Sequence, residues 1–323
     1  MTVLYPMKLR APLKDYIWGG TKLKTDYGKE TDLDKVSESW ELACHKDGMS
    51  IIENGSEKGR TLKSYLDEAG QGILGEHAKR FPYFPLLIKL IDAKDNLSVQ
   101  VHPDNDYAMR VEGEFGKTEM WYIVDCEPGA TLIYGFKHEI TKEEFERRIA
   151  DNTLLEVCNQ VPVHKGDVFF IESGTLHAIG KGITICEIQQ NSNTTYRVYD
   201  YGRVGKDGKP RELHVKKAID VTNLEPVKER PRLDAVVDIF ADTKARLLAS
   251  CEYFTVYGLE VDGTSYLTAG MDSFQSFTVL EGQVTLKCGE TELTFTKGES
   301  SFLPAGLGSY MLSGKASLIL SKI

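Results

Sequence analysis

From Phe84 onward the chain is a succession of short segments rich in branched and aromatic residues, most of them closed by a polar or glycine turn. PLLIKLID is a nearly continuous apolar run, LSVQVH alternates, and MWYIVD, DVFFI, ITICEI and YRVYDY repeat the theme. Successive side chains of a strand point to opposite faces, so runs like these build sheets with one or both faces buried. The series favours a barrel or sandwich over a set of βαβ units. Helical signals are few: a short turn from Thr61 to Leu66, a stretch at 211 to 218, and Thr141 followed by EEFERRI, where Thr141 caps and Glu144 answers three residues later. The polar EPVKERPRLD marks a junction near Asp234, so residues 1–234 and 235–323 are expected to form two joined units.

One turn grammar occurs in both units. In the first, Gly166 opens a reversal, DVFFI crosses a sheet, and Ser173-Gly174 turns the chain so that His177 faces inward. In the second, Gly298 to Ser309 repeats the spacing with Ser309 where His177 would stand, and no histidine follows His214. The pattern resembles the second motif of the cupin superfamily, with Glu172 at the usual proline position. That resemblance implies a mainly β protein of two cupin-type jelly-roll β-barrels with short accessory helices, the C-terminal barrel being metal-free.

The formal net charge of −9, from 48 acidic and 39 basic side chains, gives no reason to expect a nucleic-acid partner. Six widely spaced cysteines without a CxxC pair suit reduced thiols better than a disulfide framework. No apolar run approaches membrane-spanning length and no secretory leader pattern is present, so a cytoplasmic protein without membrane contact is expected.

Strand periodicity places Ser98, Gln100 and His102 on one face of LSVQVH, and Pro103 ends that strand. Glu119 enters the next apolar strand, where a buried carboxylate needs a cation or several donors. With His177 these residues make one divalent-metal site, for which zinc is the preferred ion and iron, manganese or cobalt remain open. Gln100 is the weakest of the four: it ligates directly, through a water, or not at all.

LSVQVHPDND, GKTEMWYIV, GTLHAI and EIQQNSNTTYRVYDYGR together resemble the matching segments of type I mannose-6-phosphate isomerases in their shorter bacterial form, over about the first 220 residues. The resemblance implies one zinc ion per chain on Gln100, His102, Glu119 and His177. It also implies a hexose 6-phosphate substrate, and reversible conversion of D-mannose 6-phosphate to D-fructose 6-phosphate through a metal-stabilised cis-enediol-like intermediate. Arg197 and Glu187 take catalytic positions, and Ser98 and Lys117 take substrate-pocket positions. Trp18, in a family-like WGG context, walls the sugar pocket or packs the core. Where the family often carries a lysine six residues after the arginine, this chain has Arg203, which suits phosphate clamping but not proton abstraction. Two alternatives stay open: a metal-dependent cupin oxidoreductase and a noncatalytic sugar-phosphate-binding protein. Oligomeric state is not legible, a monomer being plausible.

Overall fold

The computed structural model describes residues 4–205, 208–228, 235–240 and 243–323. Over these residues the fold is mainly β, in sheets of nine, six and five antiparallel strands and one two-stranded hairpin. The expected closed barrels are not formed. The five-stranded sheet ends on Cys158–Pro162 at one edge and Tyr196–Tyr199 at the other. The six-stranded sheet ends on Val168–Ile171 and Leu13–Lys14. Closure requires edge strands to pair with one another, and these do not.

The physical reason lies in what the glycine turns specify. A turn fixes a reversal and a register, and these are the same whether the resulting sheets join at their edges or only stack. Here they stack. Ile91, Trp121, Ile123 and Ile185 of the six-stranded sheet share one buried cluster with Leu132 of the five-stranded sheet and with Leu97 and Ile179 beside its strands. The layer between the two sheets holds the candidate site.

The C-terminal unit is an open sheet of long hairpins. Thr255–Ala269 pairs along its whole length with Gly308–Lys322, which pairs on its other side with Gln275–Cys288. Its buried face carries Phe277, Val279, Val284, Leu286 and Phe295. The N-terminal segment completes this sheet: Met7–Arg10 pairs with Ser300–Phe302, and Ile51–Ile52 adds the last strand. Of the junction segment, residues 225–228 are described and 229–234 lie outside the described residues.

The accessory helices are Leu62–Ala69, Lys142–Ala150 and Val215–Val221, with a further short one at Asn105–Val111. Thr141 Oγ1 accepts from the Glu144 amide at 3.1 Å, while the Glu144 carboxylate turns to Arg148 at 2.8 Å instead of reaching back. Phe145 docks that helix edge-on against Phe136. The third helix begins later than the sequence suggests, leaving Arg211 in the irregular segment before it.

Phe302 is fully buried where the units meet, within ring contact of Phe84 and Phe274. Phe302→Ala is expected to destabilise the fold by about 3–5 kcal/mol, read by denaturant unfolding. A loss below about 1 kcal/mol would show that this contact does not hold the units together.

Candidate metal centre and its cavity

Two histidines arrive from adjacent strands of the five-stranded sheet. His177 lies directly opposite Gln100 in the pairing of His177–Ala178 with Val99–Val101, and His102 follows that second strand. Each imidazole is fixed by its Nδ1–H, which donates to the Thr194 carbonyl for His102 at 2.9 Å and to the Thr175 carbonyl for His177 at 2.8 Å. Since a carbonyl only accepts, both Nε2 atoms carry lone pairs. They face each other at 3.1 Å. Gly174, with φ of +86°, makes the left-handed turn before His177, and its amide donates to the His102 carbonyl.

Glu119 comes from the facing sheet. Its carboxylate is fully buried, Oε1 has no hydrogen-bond donor, and that oxygen lies 3.5 Å from His177 Nε2. Gln100 brings its amide to 3.5 Å from the same Nε2. Three lone-pair-bearing ligand atoms, all within 4.8 Å of one another and sealed from water, repel unless a cation sits among them. The donor set of two imidazoles and one carboxylate fits a divalent ion of the zinc class, and each imidazole's carbonyl partner orients it as a ligand histidine requires.

Lys117 delivers a positive charge to this cluster. Its Nζ is 2.8 Å from Glu119 Oε2 and 3.1 Å from His102 Nε2, with 4% of the residue exposed. The chain reaches this position by passing close under the Asn105–Val111 helix, where Gly116 permits it: a Cβ there would lie 2.4 Å from the Asp104 backbone.

Beyond Lys117 a row of buried charges crosses the six-stranded sheet. Glu187 lies 3.7 Å from Lys117 and 3.3 Å from Lys89, and Lys89 lies 3.8 Å from Glu38. Glu187 and Lys89 are cross-strand partners. Burial works to raise the Glu187 carboxyl, but the Lys117 and Lys89 ammoniums outweigh it and hold it below the usual carboxylate range. Burial pushes Glu119 up to about 7, with Lys117 opposing and Glu187 adding to the rise. Burial lowers His177 to about 3 and carries His102 well below its ordinary value, so both imidazoles are neutral. Three carboxylates against two ammoniums leave one negative charge, which favours a cation at the ligand cluster.

The row borders a cavity of about 270 Å³. Ser98, Gln100, Lys117, Glu187, Arg197 and Trp18 all line it, so most residues singled out in the sequence converge there. Arg197 donates through Nε to Ser98 Oγ at 3.2 Å. Arg203 does not line the cavity; Arg211 does. Glu38 and Lys89 were missed in the sequence. Their signal was a single lysine interrupting the apolar run LLIKLIDA and a glutamate in the ESWEL strand, both fully inside a sheet. In the C-terminal unit Ser309 is exposed, its hydroxyl 3.2 Å from Thr268 Oγ1 across the hairpin.

Stacked antiparallel sheets holding two histidines and a glutamate between them define a metal-binding protein of mainly β fold. The family model described as phosphomannose isomerase type I, catalytic domain, matches residues 7–123, and that described as mannose-6-phosphate isomerase, cupin domain, matches 243–323. The chain is 41% identical to mannose-6-phosphate isomerase ManA of Bacillus subtilis, over 98% of this chain and 99% of that protein. It is 37% identical to the mannose-6-phosphate isomerase of Streptococcus mutans, over 98% of each. A crystal structure of the Bacillus subtilis mannose 6-phosphate isomerase superposes with a TM-score of 0.90 at 35% identity, covering 98% of this chain and 99% of that one. The chain belongs to the type I mannose-6-phosphate isomerases, in their short bacterial form.

Metal binding needs Glu119 ionised, whereas both imidazoles are already neutral well below its titration range. At about pH 6 metal uptake is therefore expected to release close to one proton, and at about pH 8 close to none, with affinity falling about tenfold per unit below neutrality. Calorimetry in buffers of different ionisation enthalpy counts those protons. Release of two or more at about pH 6 would mean that the imidazoles are protonated in the metal-free protein and would overturn this assignment.

Proposed function

We propose that this chain interconverts D-mannose 6-phosphate and D-fructose 6-phosphate, with one zinc ion held by His102, Glu119 and His177 and Gln100 as fourth ligand. The observation that carries the reading is the join between metal site and cavity: Lys117 touches Glu119 and His102 on one side and Glu187 on the other, and Gln100, Lys117, Glu187 and Arg197 line the cavity. An oxidation state need not change for this reaction, and a bound zinc ion would supply a Lewis acid that polarises the sugar oxygens.

The reaction moves a proton between C2 and C1 of the open-chain sugar, through a cis-enediol. Glu187 suits the proton-accepting role, because its neighbours keep it ionised inside a water-poor site. A base held ionised by two adjacent ammoniums is a weaker base than a free one. The same two ammoniums also stand ready to stabilise charge that develops on the substrate oxygens. Arg197, pinned by Ser98 Oγ and the Glu212 carbonyl, presents a fixed cation to the substrate. Trp18, 4% exposed and in the cavity wall, offers an apolar surface to the sugar carbons.

Among the described residues no helix is long and apolar enough to cross a membrane. Six free cysteines, three of them buried, support a cytoplasmic setting.

A coupled assay on zinc-loaded protein tests the substrate assignment: absence of interconversion in a folded, metal-replete sample rejects it. Glu187→Gln is expected to lower kcat by about a hundred- to ten-thousandfold while leaving zinc content unchanged. Near-normal turnover in that variant would remove Glu187 from proton transfer.

A further inference from the structure

A second cavity, of about 480 Å³, lies apart from the one beside the metal centre and shares no lining residue with it. We infer that it is an effector site: it takes an uncharged aromatic molecule bearing one N–H or O–H donor, and its occupancy is felt at the metal centre. Neither part depends on the substrate assignment.

The wall selects the class of ligand. The helix Leu62–Ala69 and the short turns after it, Gln71–Leu74 and Glu76–Arg80, supply Leu66, Leu74 and Ala78, and Phe81 and Phe84 follow in the same wall. An apolar surface carrying two phenyl rings gains by covering a third ring. The charges around it are already matched: Lys46 pairs with Glu114, and Lys63 Nζ reaches both carboxylate oxygens of Asp67 at 2.8 Å. His45 accepts from the Asp47 amide through Nδ1 at 3.1 Å, so its ring N–H lies at Nε2, 3.6 Å from Glu114. A sugar phosphate therefore finds no complement here.

One polar atom is unmatched. Asn191 is 4% exposed and lines the cavity, and its Nδ2 donates to the Phe84 carbonyl at 2.9 Å. Because a carbonyl only accepts, that bond fixes the orientation of the amide, and Oδ1 is left without a donor among the described residues. A buried acceptor without a donor is costly. A ligand N–H or O–H at Oδ1 both makes a bond and removes that cost.

The segment that carries Asn191 also supports the metal centre. The Gln190 side chain accepts from the Thr118 amide at 2.8 Å, and the Gln190 amide donates to the Thr118 carbonyl at 3.1 Å, which anchors the residue between Lys117 and Glu119. Further along, the Thr194 carbonyl orients His102, while Thr194 Oγ1 donates to Glu114 of the cavity wall at 3.3 Å. Gln189 stiffens the bend between them, donating from Nε2 to the Gln190 and Ser192 carbonyls at 2.7 and 2.6 Å. A ligand bound to Asn191 Oδ1 thus pulls on a stiff segment whose two ends set Glu119 and His102.

Indole is the probe, and benzofuran, of the same shape with an oxygen acceptor in place of the N–H, is its control. In calorimetric titrations the zinc-loaded protein should bind indole about tenfold more tightly than benzofuran. Asn191→Leu should erase that preference, and the wild-type comparison stands by itself where the variant does not fold. In crystals soaked with a bromoindole, the anomalous bromine peak should lie in this cavity. Saturating indole should change the affinity for zinc by about fivefold or more. Absence of indole binding, equal affinity for the two probes, or a bromine peak only in the cavity beside the metal centre overturns the site. Unchanged zinc affinity in the presence of bound indole overturns its effector role.

Discussion

The structure turns on five buried charges along one sheet. Glu38, Lys89 and Glu187 stand on neighbouring strands and Lys117 and Glu119 at the entry of the next, alternating in sign with each within 3.8 Å of the one before. Ions taken out of water cost several kcal/mol each unless paired, so no member can move far without stranding another. The register of the sheet makes the row possible: Glu187 stands opposite Lys89 on one side and Trp121 on the other, which leaves room for Lys117 at the strand entry. The geometry of the buried row and the register of the sheet are therefore one requirement. A slip of one residue in either strand would turn Lys89 or Glu187 to the opposite face of the sheet and part the pair.

That requirement explains why the two sheets stack as a sandwich around a polar seam. An all-apolar interface would pack Ile and Trp throughout, as it does at the Trp121 and Ile185 end. The other end is wedged by charged side chains and two imidazoles, with the Trp121 ring edge-to-face against His177 at 5.3 Å forming the boundary. The metal site thus lies where the apolar core gives way to the cavity.

Much of this was legible in the sequence, and the exceptions have causes. His102, Glu119 and His177 announce themselves because turn spacing and strand period together dictate where a side chain points. Barrel closure was not legible, because it depends on whether remote edges pair, and no local pattern of glycines encodes that. Lys89 was absorbed into an apolar run, since a single lysine among leucines reads as a strand before it reads as a partner for Glu187. Arg203 drew attention by its distance along the chain from Arg197. The backbone then reverses through Tyr201 and Gly202, both at positive φ, and the Val204–Pro210 bridge returns Arg211 to the cavity. Counting residues cannot anticipate a hairpin. Helix starts were read well at Thr61 and Thr141, where a hydroxyl cap is a local signal.

The strand Met7–Arg10, early in the chain, finds its neighbour in Ser300–Phe302, near the end. On the ribosome this segment emerges long before its partner is made. Until then Met7 and Leu9, both buried in the finished molecule, must be shielded by something other than their native sheet. Contacts between such distant parts of a chain form slowly, and unpaired strand edges invite association with other chains. The last hairpins thus act as a clasp over the first strand, so a polypeptide cut short before residue 300 would carry an open edge and a half-built core together.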